Sequence, residues 1–445
     1  DLHPILHSFP TRRSSDLLLL IVGTGFFIQN IKKIIRNIKL GKDIDRSDNA
    51  NARWKNMAMI ALGQSKMVKR PVAGVLHILV YVGFIIINIE VIEIIIDGLF
   101  GTHRVLSFAG GLYNFLIGSF EILAFLVLIS VIIFWIRRVV VQIPRFWNKE
   151  MTSWPKNDAL NILYFEMVLM SLFLLMNASD YNLQQMGADH YIKAGSFPIS
   201  QFIAAWLPQD VSTLILLERG AWWIHIIGIF IFLNYLYYSK HLHILLAFPN
   251  TYFANLNPKG KFDNLVSVTN EVKMMLDPDA DPYAAPADDT AEPEKFGASD
   301  VFDLNWVQLL NAYTCTECGR CTSVCPANIT GKELSPRAIM MKTRDRLEEV
   351  GKNIDTNKTF KPDDKQLLND YITPEELWAC TSCNACVEEC PVNIDPLSII
   401  VDMRRYLVME QSAAPQELNA MMTNIENNAA PWQFNQMDRL NWKDE

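Results

Sequence analysis

The chain has 445 residues, half of them apolar, and a formal net charge of −8. That is too apolar for an ordinary soluble enzyme and too charged for a pure membrane bundle, and the charge has the wrong sign for nucleic-acid binding. Nearly all long apolar runs lie in 17–250, whereas 251–445 hold most of the acids and every cysteine. This division predicts a membrane domain followed by a soluble one.

Residues 1–16 include "HSFPTRRSSDL", which lacks the apolar core and small-residue cleavage site of a signal peptide, and are read as non-native. Five apolar segments follow, at about 17–31, 72–97, 112–136, 159–177 and 221–248, by the rule that a spanning helix needs roughly 20 residues. Lys and Arg crowd the stretch between the first two segments and the one after the third, while the other two connections hold few. By the positive-inside bias the second and fourth helices run outward, and the fifth runs inward to deliver the soluble half to the cytoplasm.

The histidines are placed at definite depths in this scheme. His77 lies near the inner end of the second helix, His225 near the outer end of the fifth, and His241 and His243 near its inner end. On an uninterrupted helix His225 and His243 share one face about five turns apart, and His241 points elsewhere, toward the interface. His77 and His243 match in depth and are read as a haem b site, each giving a neutral imidazole nitrogen. The alternative is interfacial histidines bonded to loop carbonyls. For His225 three readings stand open: a second haem, a quinol-site residue, or a satisfied structural histidine. Glu90, Glu93, Glu121 and Glu166 lie in or near the apolar spans and are candidates for proton transfer at a quinol site, or else bond neighbouring backbone.

Residues 251–299 are expected to form an acidic linker; the part from 277 on, "DPDADPYAAPADDTAEPEKFGAS", is too polar and Pro-rich to fold alone. Then come "CTECGRCTSVCP" and "CTSCNACVEECP", with Cys315, Cys318, Cys321 and Cys325 in the first run and Cys380, Cys383, Cys386 and Cys390 in the second. Each follows C-x₂-C-x₂-C-x₃-C-P, the spacing of two-cluster ferredoxins, in which the fourth Cys of each run ligates the other cluster. The predicted assignment is therefore crossed. One [4Fe–4S] cluster takes Cys315, Cys318, Cys321 and Cys390; the other takes Cys380, Cys383, Cys386 and Cys325. Zinc is a poor match to two full tetrads with a trailing Pro, and disulfides to a cytoplasmic location. Ser335-Pro336 and Asp395-Pro396 start an amphipathic helix after each run, so the domain reads as an internal helical repeat.

With these motifs in hand, the cysteine domain (300–411) resembles the two-cluster ferredoxin domain of heterodisulfide reductase iron–sulfur subunits. It is also similar to the iron–sulfur subunits of anaerobic glycerol-3-phosphate dehydrogenase and glycolate oxidase. The membrane half (17–250) resembles the gamma subunit of respiratory nitrate reductase and the cytochrome b subunit of membrane heterodisulfide reductase. The resemblance implies haem ligation by His77, His243 and His225, but the second outer ligand would fall near Ile87, leaving His103 or His190 as substitutes. It implies one or two haems b, two [4Fe–4S] clusters and quinone as the mobile substrate. It also implies that the tail (412–445) leads toward a cysteine-rich catalytic domain, missing or separate. The expected architecture is all-α, a five-helix transmembrane bundle followed by a helical two-cluster domain. The expected function is electron transfer in the prokaryotic cytoplasmic membrane, between the quinone pool and a cytoplasmic heterodisulfide reductase-like subunit or flavoprotein. The rival reading is a haem-free anchor that displays an iron–sulfur docking module.

Overall fold

The computed structural model describes residues 12–279 and 295–444, with side chains from Leu17 on. The reading of residues 1–16 as non-native therefore falls mostly outside the described residues. Within them the chain is helical, with no strand. Five helices are long and apolar enough to cross a membrane: α1 (Arg12–Ile38), α2 (Pro71–Phe100), α3 (Gly111–Val139), α4 (Ser153–Met186) and α5 (Val211–Tyr235). Pro71 sets the first turn of α2, where its missing N–H costs nothing, and Gly101 closes that helix in the left-handed conformation (φ 70°). Side chains such as Ile117, Ala124 and Phe173 fill the bundle core.

The fifth helix departs from expectation at both ends. It starts near residue 211 rather than 221, because Asp210 caps it by accepting from Thr213 N (2.9 Å), and Glu218 is satisfied by the Tyr191 hydroxyl (3.1 Å). It does not run through to 248. Ser239 is extended (φ −109°, ψ 144°), its hydroxyl accepts from His241 N (3.0 Å), and Asp158 of α4 accepts from Lys240 N (3.1 Å). A separate helix, α6 (His243–Tyr252), begins after the break. The single-face relation between His225 and His243 is thereby lost.

The cysteine half is built on α7 (Trp306–Thr314), α8 (Pro336–Asn357) and α9 (Pro396–Met409). Ser335 and Asp395 cap α8 and α9 by accepting from Ala338 N and Ser398 N, as the repeat predicts. The described part of the expected linker is not all irregular: Val266–Leu276 is helical, and the chain joins the cysteine half from Lys295, which pairs with Asp303 (2.6 Å). Residues 280–294 lie outside the described residues.

The two halves share one continuous apolar core, in which Ile34, Phe232 and Leu242 pack with Leu309, Tyr313 and Leu347. The basic end of α1 faces the cysteine half, with Arg36 bonded to Asp355 and Gly351 O. Lys42 N donates to Leu304 O (2.8 Å) and Trp306 N to Lys42 O (3.1 Å).

Arg346 is the most heavily bonded cation in the cysteine half. Fully buried, it donates to Asp300 and to Asp363 and bonds Lys365 O (2.8 Å). Truncation leaves two carboxylates without their counter-charge, so Arg346→Met should destabilise this half by about 3 kcal/mol. The check is the midpoint of urea unfolding followed by circular dichroism. Lys365→Ala, at an exposed pair with Glu349, should stay within about 0.5 kcal/mol of wild type.

Candidate functional site

The two cysteine runs adopt the same backbone path. Glu317 and Ser382 are left-handed (φ 54° and 55°), and so are Gly319 and Asn384 (φ 69° and 58°). Cys325 and Cys390 are both extended, with ψ 119° and 122°. These turns point the first three cysteines of each run into a common concavity, and the extended fourth residue leads the chain away. Gly319 has a further constraint, because a β-carbon there would meet Arg337 Nη1 at 2.5 Å.

The cysteines line two cavities. The first, of about 380 Å³ including its mouth, is bordered by Cys315, Cys318, Cys321 and Cys390, with Arg320 and Arg337 in its wall. The second, of about 310 Å³, is bordered by Cys325, Cys380 and Cys383. Cys386 touches both. The fourth cysteine of each run thus lies beside the first three of the other run.

Burial pushes the Cys315 thiol up to about 11 and Cys390 to about 12, and raises Cys321 and Cys386 as well. Such sulfurs become thiolates only against strong positive charge, such as iron provides. Backbone donors are already aimed at sulfurs of the second run, Ser382 N at Cys380 Sγ (3.4 Å) and Ile394 N at Cys390 Sγ (3.3 Å). The residues present therefore fit two four-iron clusters.

The histidines gather at the junction. The rings of His77 and His243 have centroids 6.4 Å apart, and His241 lies 5.4 Å from His243. Two imidazoles on one iron place their ring centres about 6 Å apart, given metal–nitrogen bonds of roughly 2 Å. His243 Nδ1 donates to Lys240 O (3.1 Å), which leaves Nε2 as the free lone pair, while His77 Nδ1 is buried without a protein partner. Burial holds His241 down to about 3 and lowers His243 too, so both rings are neutral, the form a metal binds.

One expectation about the histidines needs correction. His241 does not face the interface. The break at Ser239 turns it inward, with Phe232 at 5.4 Å and Glu166 Oε1 at 3.6 Å from its Nε2. His225 stands apart: buried against Phe173, it donates from Nδ1 to Leu169 O (3.0 Å). Neither outer-loop histidine joins it. His103 uses both nitrogens, donating to Asp180 (3.0 Å) and accepting from Ile192 N (3.4 Å), and His190 is exposed.

The buried acids are mostly partnered. Glu93 accepts from the Tyr113 hydroxyl and Leu106 N (2.9 Å each), and Glu121 accepts from Ile199 N and Ser200 N. Arg104 draws Glu90, Asp180 and Asn177 into one network at the end of the bundle away from the cysteines.

Residues 314–394 match the family model of the 4Fe-4S dicluster domain. This segment is of the 4Fe-4S dicluster type. The whole chain is similar to the "Probable iron-sulfur-binding oxidoreductase FadF" of Bacillus subtilis, at 30% identity over 97% of this chain and 61% of that protein. It is similar to the "EtfAB:quinone oxidoreductase" of Syntrophomonas wolfei at 26% identity, over 96% of this chain and 59% of that protein. The dicluster region is similar to one subunit of the ferredoxin/F(420)H(2)-dependent CoB-CoM heterodisulfide reductase of Methanosarcina acetivorans, at 31% identity over 27% of this chain and 60% of that subunit. The chain thus spans about three-fifths of the length of the first two relatives. No solved structure matches.

Sequence reasoning missed the charged residues that tie the dicluster segment to the membrane half. Lys240 bonds Glu317 and, through Nζ, Pro155 O (2.7 Å), and Arg344 bonds the other oxygen of Glu317. A signal was present: the first run carries Glu317 and Arg320 where the second carries Ser382 and Ala385.

Proposed function

We propose that the chain is a membrane electron-transfer subunit of a respiratory oxidoreductase, linking membrane quinone through haem b and two [4Fe–4S] clusters to a cytoplasmic partner. The observation that carries this reading is the single junction where a histidine pair at iron-bridging separation meets a cysteine cavity across the Lys240–Glu317 link. Haem and clusters, when bound, supply one-electron transfer; a quinone takes two electrons and two protons to become quinol.

The chain's own residues hold and tune these groups. His77 and His243 are the haem ligands, with His243 oriented by Lys240 O. One cluster takes Cys315, Cys318, Cys321 and Cys390, the other Cys325, Cys380, Cys383 and Cys386. Arg320 and Arg337 line the first cavity, and Arg344 lies close enough to act on Cys315, so this cluster's negative charge is offset and its potential raised. His225 packs against Phe173 and has no second imidazole against its ring among the described residues, so we read it as a structural histidine, which leaves one haem rather than two.

Sidedness follows from the Lys/Arg bias: the basic ends of the membrane helices lie on the cysteine side, which supports a cytoplasmic location for the clusters. Quinone is favoured as the membrane substrate by the name of the Syntrophomonas relative, and a heterodisulfide reductase-like partner by that of the Methanosarcina one, with a flavoprotein as the alternative partner. The test is a reduced-minus-oxidised absorption spectrum of protein made with ample haem and iron. A sharp b-type band together with the broad iron–sulfur bleach supports the reading. A bleach without the band supports the haem-free anchor instead.

A further inference from the structure

We infer that the two clusters are not interchangeable: the Cys315/Cys318/Cys321/Cys390 cluster is the membrane-side relay, and the Cys325/Cys380/Cys383/Cys386 cluster is the one that meets the water-side partner. This order rests on the function proposed above, and it goes further by assigning each cluster its neighbour.

The first cavity is enclosed by the membrane half. From its wall, Arg320 donates to Lys66 O (3.1 Å), and Arg337 donates to Arg145 O and to Glu150 (2.7 Å each). On its far rim, Asn250 of α6 donates to Val392 O (2.8 Å), and Arg70 at the start of α2 bonds Glu389. Both histidines are reached from here. Glu317 precedes Cys318 and is gripped by Lys240, whose carbonyl accepts from His243, the ring beside His77.

Among the described residues the second cavity meets the membrane half only beside its wall: Ser335, between Leu334 and Pro336, donates to Glu150 (2.7 Å), and Lys66 and Lys69 reach Val387 O and Glu388 just past Cys386. Arg404 braces its loop from within the cysteine half, donating to Leu377 O and Cys380 O. Thr381 and Cys383 are exposed, whereas no cysteine of the first cavity is. Cys386 borders both cavities, so a ligand of the water-side cluster also touches the membrane-side one and offers the shortest path between them. The sequence asymmetry agrees. Glu317 and Arg320, which bond Lys240 and Lys66 O, are replaced in the second run by Ser382 and Ala385, which make no such bond. Each hop moves one electron: one centre is oxidised as its neighbour is reduced, and no bond or proton changes hands.

The order is tested on the full chain, loaded with haem and iron and held in lipid nanodiscs. Cys383→Ala leaves only the membrane-side cluster and Cys318→Ala only the water-side one; Cys325→Ala and Cys315→Ala form a second pair should either fail to assemble. Each variant is reduced with dithionite, and the microwave-power saturation of its cluster signal is read with and without a soluble dysprosium chelate. The chelate should relax the cluster left in Cys318→Ala several-fold and scarcely affect that left in Cys383→Ala. Equal relaxation, or the reverse order, overturns the assignment. If no variant retains a cluster signal although the iron-replete parent has two, the assignment fails and the electron-transfer reading stands. If the parent has none, both fail.

Discussion

Replacing Cys325 by alanine should halve the iron content, from about eight irons per chain to about four, and the cluster lost should be the one held by the other run. Crossed ligation makes this a sharp expectation. Cys325 follows Cys321 by only four residues, yet it borders the second cavity with Cys380 and Cys383 and not the first. Pairwise substitution exposes the logic. Cys325→Ala with Cys380→Ala should cost no more iron than either alone, because both residues serve one cluster. Cys325→Ala with Cys318→Ala should abolish both. If ligation followed the runs instead, the second pair would lose only one cluster and the first pair would lose two. Iron analysis with electron paramagnetic resonance of the reduced protein distinguishes the patterns.

The second large effect concerns haem. His77→Ala or His243→Ala should lower bound haem b at least tenfold, since these two rings would hold the iron between them and either substitution removes one of the two nitrogens. His225→Ala should leave the haem content unchanged, because its ring lies against Phe173 in another part of the bundle, away from the His77–His243 pair. His241→Ala is the informative intermediate. Its ring packs on His243 and reaches Glu166, so its loss should retain haem but shift the absorption band or the potential. Haem-to-protein ratio by pyridine haemochrome and a redox titration of the band provide the readouts. Loss of haem in His225→Ala with retention in His77→Ala would reverse the assignment.

What was legible in the sequence divides along physical lines. The cysteine runs were legible because cluster ligation is dictated by local spacing, and the repeated left-handed turns at Glu317/Ser382 and Gly319/Asn384 are its backbone expression. The membrane helices were legible because span length follows from apolar run length, although the true helices extend past those runs wherever a partner satisfies a polar residue, as Tyr191 does for Glu218. The break at Ser239 was not legible. It depends on Asp158, more than eighty residues away in sequence, accepting from Lys240 N, and a helical-phase argument cannot see a tertiary acceptor. Hence the meeting of His77 and His243 could be read from depth, while the phase relation of His243 to His225 and the inward turn of His241 could not. The Lys240–Glu317–Arg344 link was hidden for the same reason, since its members come from three segments.

Electrons passing between the clusters and quinone, in either direction, should go by way of the histidine site. The most direct measurement mixes dithionite-reduced protein in nanodiscs with a short-chain quinone in a stopped-flow spectrometer and follows reoxidation of haem and clusters at their separate wavelengths. Both should recover in the parent protein, with haem leading, and cluster reoxidation should slow at least tenfold in His243→Ala while iron content is unchanged. Cluster reoxidation at the parent rate in that variant would contradict it.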